Sequence, residues 1–310
     1  MRLAAPSQRV VVDMSSSRSL TASFAARARQ WAMRQSGQML GRETMQPAFL
    51  VVGGKRCGST TLHDRMMSHP DVLAPRTVKS SHYFDVNYSR GPRWYAGHFP
   101  SVAQAQRHAD TTGHAAITGE SSPYYSFHPL SAERIAADLP DAHLVLCVRN
   151  PIERTWSQYQ YNVQRGFEDL SFRQALDAEE RRLVGQAERV ANGEESPAYR
   201  HQAYLARGRY IDHVEQMAEH VDRSRIHVVV AEELFSDPDQ VLNDVWGELG
   251  LRAHPVESVP QLKATAKSEN TLAPGDREWL SEYFLPYNER LASQLGRTDL
   301  WNEQSQESTR

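Results

Sequence analysis

The chain has 310 residues, of which 40% are hydrophobic and 24% charged, with a formal net charge of −3 and two cysteines. That balance excludes intrinsic disorder as the main state and fits one large globular domain or two small ones. The apolar runs, such as Phe49 to Val52 and Leu144 to Val148, fall far short of the ~20 residues that span a bilayer.

Val10 to Val12 runs directly into Asp13, too short an apolar stretch for a secretory signal, so a cytoplasmic protein is expected. Residues 1–47 hold seven arginines against Asp13 and Glu43, a net of +5, which leaves −8 on the other 263 residues. Leu20, Phe24, Trp31 and Leu40 punctuate this basic arm. It reads either as a flexible or surface-packed leader or as an amphipathic helix in peripheral contact with an anionic membrane. No nucleic-acid partner is expected. Cys57 and Cys147 stand 90 positions apart and match no zinc or redox spacing, which reads as two reduced thiols.

From Pro47 onward short β-branched runs alternate with helical patterns. Strands are expected at Ala48 to Val52, Ala115 to Thr118, His143 to Val148 and Ile226 to Val230. Helices are expected at Ser59 to Ser68, Ser131 to Leu139, Pro151 to about Arg165, Ser171 to Val190, Tyr210 to Val221, Pro238 to Leu249 and Pro274 to Leu295. Strands separated by helices predict an α/β domain over 48–301, with a P-loop-like central parallel sheet flanked by helices on both faces and a polar tail at 302–310.

Two strand-to-helix corners carry the chemistry. In the first, Phe49 to Leu62 reads as a buried strand, a glycine-bearing turn and a helix start, which aims backbone N–H groups at an anion. Against the nucleotide-triphosphate pattern GxxxxGK[ST], Gly53 and Gly58 have the right spacing and Thr60 the hydroxyl position. Ser59, however, stands where the phosphate-reaching lysine belongs, which disfavours a kinase or nucleotidase. The positive charge sits instead in the loop as Lys55 and Arg56, and Ser59, Thr60 and Thr61 add three hydroxyls. That set suits one terminal phosphate with a transferable anionic group beside it; a loop with no ligand is the alternative reading.

In the second corner Arg149 ends a strand, Asn150 is a good N-cap, Pro151 fits the first helical position and Glu153 completes a capping arrangement. Arg154 and Ser157, three apart, share a helix face. A guanidinium beside a serine hydroxyl and a helix start would hold a second phosphate. The alternative is an Arg149 that pairs with a carboxylate and a Ser157 that is plain surface.

Two phosphate cradles on adjacent strand ends resemble the sulfotransferases that use 3′-phosphoadenosine 5′-phosphosulfate (PAPS), nearest the bacterial members related to the heparan sulfate enzymes. Further stretches that carry the resemblance are His82-Tyr-Phe-Asp85, Gly91 to Pro100, Gly119-Glu120-Ser-Ser-Pro123-Tyr124 and Leu205-Ala-Arg207-Gly208-Arg-Tyr210. The resemblance implies that Lys55, Arg56, Cys57, Gly58, Ser59, Thr60 and Thr61 bind the 5′-phosphosulfate, and Arg149 and Ser157 the 3′-phosphate. Arg56 rather than Lys55 falls at the family's loop lysine, so which of the two stabilises the leaving phosphate is open. A covering loop before the last helix would fall between Leu262 and Ser268, with Lys263 and Lys267 as its contacts.

Sulfuryl transfer is an in-line displacement akin to phosphoryl transfer, which needs charge stabilisation and a general base but no metal. No HExxH or paired-carboxylate metal signature is present. The relatives' acidic base corresponds to Ser80 here, so the base does not transfer; His82 and Glu120 are the two candidates, each alternatively a group that only orders its loop. The lysine that follows the glutamate in several relatives is Ser121, with Lys79 as the nearby replacement. Tyr83, Phe84, Trp94, Tyr95, Tyr124 and Tyr125 lie in segments that face the acceptor in relatives, although aromatic rings in such segments also serve as core packing. The function implied is transfer from PAPS to a hydroxyl of a small molecule, glycan or glycolipid. The alternatives are a P-loop kinase or nucleotidase, and a catalytically silent module that binds PAPS or adenosine bisphosphate.

Overall fold

The structure is a computed structural model that describes residues 43–256 and 271–301. Most of the basic arm, Lys263, Lys267 and the tail at 302–310 lie outside the described residues.

Among the described residues four strands, β1 (Phe49–Gly53), β2 (Gly119–Ser121), β3 (His143–Val148) and β4 (Ile226–Val230), form one parallel sheet in the order β2-β1-β3-β4. The helices are α1 (Ser59–Met66), α2 (Pro92–Ala96), α3 (Val102–Thr112), α4 (Ser131–Asp138), α5 (Pro151–Gln164), α6 (Phe172–Leu183), α7 (Gln186–Ala191), α8 (Pro197–His201), α9 (Tyr210–Ala218), α10 (Ala231–Ser236), α11 (Pro238–Glu248) and α12 (Pro274–Gln294). Every residue of β1, and Leu144 to Val148 of β3, is buried. Side chains alternate across a strand, so burial without alternation requires helices on both sheet faces. The expected α/β class and parallel sheet are therefore the observed ones.

The main core centres on Phe49 to Val52 and Leu144 to Val148, with Leu62, Leu234 and Trp246 packed around them. A second apolar cluster, with Phe172, Leu176, Tyr204, Leu280 and Phe284, binds α6 to α12.

Several boundaries depart from the sequence reading. The edge strand is not Ala115 to Thr118 but Gly119–Ser121, because β1 pairs Phe49, Leu50 and Val51 with Gly119, Glu120 and Ser121. Hydropathy points to the wrong segment here, since Glu120 is buried in the sheet with hydrogen bonds that offset its loss of water. The helix expected over Ser171 to Val190 is two, α6 and α7, parted at Val184 and Gly185. Helices α2, α3, α8 and α10 were not foreseen. For α3 the signal was present: Ser101 and Gln104 form a reciprocal capping box. Glu153 forms no such box at α5; its carboxylate pairs instead with Arg277 of α12 at 2.7 Å.

Ser101→Ala removes the α3 cap, where Ser101 bridges Thr44 ahead of β1 rather than meeting the turn that follows it. Urea unfolding is expected to show a loss of about 1 kcal/mol, with ligand affinity at the strand ends unchanged.

Candidate functional site

Open parallel sheets collect ligands at the carboxyl ends of their strands, and the candidate residues gather there. Val51 pairs with Val145 and Gly53 with Leu146, so the turns that follow β1 and β3 start side by side. The Gly54 N–H donates to the Cys147 carbonyl at 2.6 Å and ties one turn to the other strand. Gly58, at φ 85°, reverses the chain into α1, and no side chain among the described residues caps that helix. The first-turn N–H groups of α1 are thus unclaimed by a cap and able to meet an anion.

The second corner works differently. The Asn150 carboxamide oxygen accepts from the N–H groups of Ile152 at 3.0 Å and Glu153 at 3.4 Å. That cap occupies the helix start, so an anion at this corner must be held by side chains rather than by the end of α5. Arg154 does not join Ser157, as their spacing suggested. It is fully buried and donates to Gln158 Oε1 at 2.6 Å, Thr155 Oγ1 at 2.8 Å and the Tyr204 carbonyl, which fastens α5 to the chain before α9. Ser157 faces the other corner instead: Arg56 Nε donates to its Oγ at 3.1 Å.

This contact joins the two sequence motifs directly. Around it the Tyr161 ring carries three cations, Lys55 Nζ at 5.9 Å, the Arg56 guanidinium at 5.2 Å and that of Arg165 at 5.4 Å from its centroid. Burial pushes the Lys55 ammonium down to about 6, and the charges of Arg207, Arg154, Arg200 and Arg56 push the same way. Burial also lowers Arg56, helped by Arg149. A pocket that destabilises its own cations is one that an anion stabilises.

The other loop residues divide. Ser59 is buried at the helix start, Thr61 is half-buried and Thr60 is exposed. The Cys57 side chain turns into the core, so that residue can meet a ligand only through its backbone. Arg200 and Arg207 were not singled out from the sequence. Arg207 is buried, with its guanidinium 4.2 Å from the Phe127 ring and 5.1 Å from Tyr124, and Nη2 donates at 3.2 Å to the carbonyls of Tyr199 and Arg200. Its place in the Leu205 to Tyr210 stretch was the only signal; Arg200 had none.

His82 and Glu120 lie next to each other in different circumstances. Glu120 accepts from the Ser81 N–H at 2.9 Å, Tyr95 hydroxyl at 3.1 Å, Tyr125 hydroxyl at 2.8 Å and Ser122 hydroxyl at 3.3 Å, and it is buried. Burial raises its pKa above the usual carboxylate range although these donors oppose the shift. His82 is fixed by its own N–H to Ser122 Oγ at 3.1 Å and has a φ of 52°, in the left-handed region. Its Nδ1 lies 2.7 Å from Asp85 Oδ2, and its side chain is 31% exposed. Burial disfavours the charged ring, but the hydrogen bond and charge of Asp85 prevail and hold its pKa above the ordinary histidine value. Ser80 bonds to the Ser121 carbonyl and brings no acid. Of the aromatic residues expected to face an acceptor, Tyr83, Phe84, Tyr95 and Tyr125 are core, with Tyr83 stacked on Tyr95 at 4.5 Å.

A parallel α/β sheet whose carboxyl edge gathers the half-buried Lys55, Arg56 and Arg149 on two adjoining turns defines an enzyme-like site for an anionic ligand. The sulfotransferase domain matches residues 46–271, and the chain belongs to the sulfotransferase family. A sulfotransferase from Alicyclobacillus acidocaldarius is 29% identical, with 82% of this chain and 97% of that one covered and a TM-score of 0.59. The mouse heparan sulfate glucosamine 3-O-sulfotransferase 6 is 29% identical over 211 residues, 66% of this chain and 53% of the relative. A bifunctional heparan sulfate N-deacetylase/N-sulfotransferase 1 from Caenorhabditis briggsae is 27% identical over 247 residues, 76% of this chain and 26% of the relative. The membrane-associated sulfotransferase kil1 of Dictyostelium discoideum is 32% identical over 124 residues, 40% of this chain and 25% of the relative. The chain thus spans between a quarter and about half of these curated relatives. No helix among the described residues is long and apolar enough to cross a membrane, and no cluster among them could hold a metal ion.

At about pH 7.5 a Lys55 amine that titrates near 6 is neutral, and a bound polyanion restores its proton. Calorimetry with inorganic sulfate, which does not titrate near neutral pH, in buffers of different ionisation enthalpy is expected to register uptake of close to one proton per anion, and Lys55→Met to bind without it.

Proposed function

We propose that this sulfotransferase moves the sulfuryl group of PAPS to a hydroxyl of a small molecule, glycan or glycolipid. The observation that supports the reading is the 3.1 Å contact of Arg56 with Ser157, since it joins the turn assigned here to the 5′-phosphosulfate to the helix assigned to the 3′-phosphate. In this reading Lys55, Arg56, Gly58, Ser59, Thr60 and Thr61 hold the 5′ end and Arg149 and Ser157 the 3′ end, with Lys263 and Lys267 assigned to a covering loop. A glycan acceptor is favoured by the heparan sulfate enzymes among the relatives.

The acceptor oxygen attacks sulfur as the bond from sulfur to the 5′-phosphate oxygen breaks, and adenosine 3′,5′-bisphosphate leaves. Lys55, which regains its proton when the donor binds, and Arg56 take up the charge that grows on the leaving oxygen. The hydroxyl proton goes to His82. With Nδ1–H directed at Asp85, the ring presents Nε2 as its basic nitrogen, which is the tautomer a general base needs. Glu120 is placed to order the His82 loop, since its two oxygens already accept four hydrogen bonds.

His82→Ala is expected to lower turnover at least ~10²-fold while leaving adenosine bisphosphate affinity nearly intact. Near-normal turnover would move the base to Glu120. The base acts in its neutral form, so with the donor saturating, which keeps Lys55 protonated, kcat/KM for the acceptor should rise with pH through a midpoint above ~6.5. Asp85→Asn removes the group that raises the ring, and the midpoint should fall. Incubation with radiolabelled PAPS and a panel that includes heparan-type glycans tests the transfer itself. Binding of adenosine 3′,5′-bisphosphate with no labelled product from any acceptor would identify a silent binding module instead.

A further inference from the structure

Arg149 lies one residue beyond the last pair of the β3–β4 ladder, Val148 with Val230, so its own N–H and C=O have no strand partner. Both reach a single buried phenol. The Tyr210 hydroxyl donates to the Arg149 carbonyl at 2.8 Å and receives the Arg149 N–H at 3.4 Å. The same oxygen lies 3.3 Å from Cys57 Sγ, in the first turn. A phenol has one proton to give, and Arg149 takes it, so in this contact the Cys57 S–H is the donor, with the Lys55 carbonyl, 3.8 Å from Sγ, as its more distant alternative acceptor. Cys147, on β3, donates its S–H to the Cys57 carbonyl at 2.9 Å. Burial raises all three groups above their ordinary values and keeps their protons in place. Tyr210 on α9 therefore stands at the meeting point of the two anion corners, with two hydrogen bonds to Arg149 and one to Cys57.

We propose that Tyr210 is a positioning residue that sets the distance between the 5′ and 3′ corners, and thereby the preference for a nucleotide phosphorylated at both ends. The proposal rests on the PAPS reading above. Tyr210 touches no ligand; it acts through the Arg149 main chain and the Cys57 turn. Loss of its hydroxyl leaves each corner formed but uncouples their spacing, which penalises a ligand that must satisfy both and spares one that needs only the first.

Calorimetry of the full chain with adenosine 3′,5′-bisphosphate and with adenosine 5′-monophosphate tests this. Tyr210→Phe is expected to weaken the bisphosphate about tenfold and the monophosphate less than about twofold. Cys57→Ala should shift the same ratio in the same direction, and Cys57→Ser, which keeps a donor, should restore most of it. Equal losses for both nucleotides would mark Tyr210 as merely structural and overturn the proposal, as would an unchanged bisphosphate affinity. Should Tyr210→Phe fail to fold, the Cys57 pair decides on the same criteria. A wild-type chain that binds no bisphosphate would refute the PAPS reading itself, a result distinct from either of these.

Discussion

The parallel register of β1 against β3 sets the two strand-to-helix turns side by side, and Arg56 crosses from one to hydrogen-bond Ser157 of the other. The rest of the site follows from that juxtaposition. A strand end in a parallel sheet leaves backbone groups without ladder partners, and a helix that begins there points its N–H groups outward. Each corner alone is an ordinary βα turn. Side by side they form one continuous cationic surface along the sheet edge.

That surface is held at an electrostatic cost. Two cations ~6 Å apart repel by on the order of 3 kcal/mol at an effective dielectric constant of ~20. Lys55 feels four arginines and is pressed to about 6. The protein contains this cost by placing aromatic faces against the cations, Tyr161 for Lys55, Arg56 and Arg165, and Phe127 and Tyr124 for Arg207. These rings shield without neutralising. A carboxylate in their place would have quenched the attraction for an anionic ligand, and charge preorganised in this way acts without reorganisation when a ligand arrives.

Across β1, a second buried arrangement places the loop that carries His82. Glu120 is the sort of group that a sheet interior rejects unless it is satisfied, and it gathers donors from Ser81, Ser122, Tyr95 and Tyr125. The loop carrying His82 is thereby fastened to β2, with the imidazole left partly open and braced by Asp85. One carboxylate orders the loop and the other tunes the ring. The division depends on burial, which no one-dimensional pattern displays.

Local patterns read from the chain were enough for the parallel α/β class, the bounds of β3 and β4, the starts of α1, α5, α11 and α12, and the residue types of both corners. These depend on neighbours in sequence: apolar runs, caps, prolines and glycine spacing. The same patterns misplaced β2 and matched Arg154 with Ser157, because both outcomes turn on a partner far along the chain; they also joined α6 to α7, although the break is local, at Gly185 with a φ of 71°. Spacing along a helix brought Arg154 near Ser157, but Tyr204, fifty residues away, claimed the arginine. Arg200 and Arg207 reached the site only through the packing of the segment before α9, and Tyr210 came between the corners the same way. The sequence by itself determined which groups were available to hold an anion. Tertiary structure decided which of them met, since long-range pairing of strands and burial of polar atoms are set by contacts that have no fixed separation in the chain.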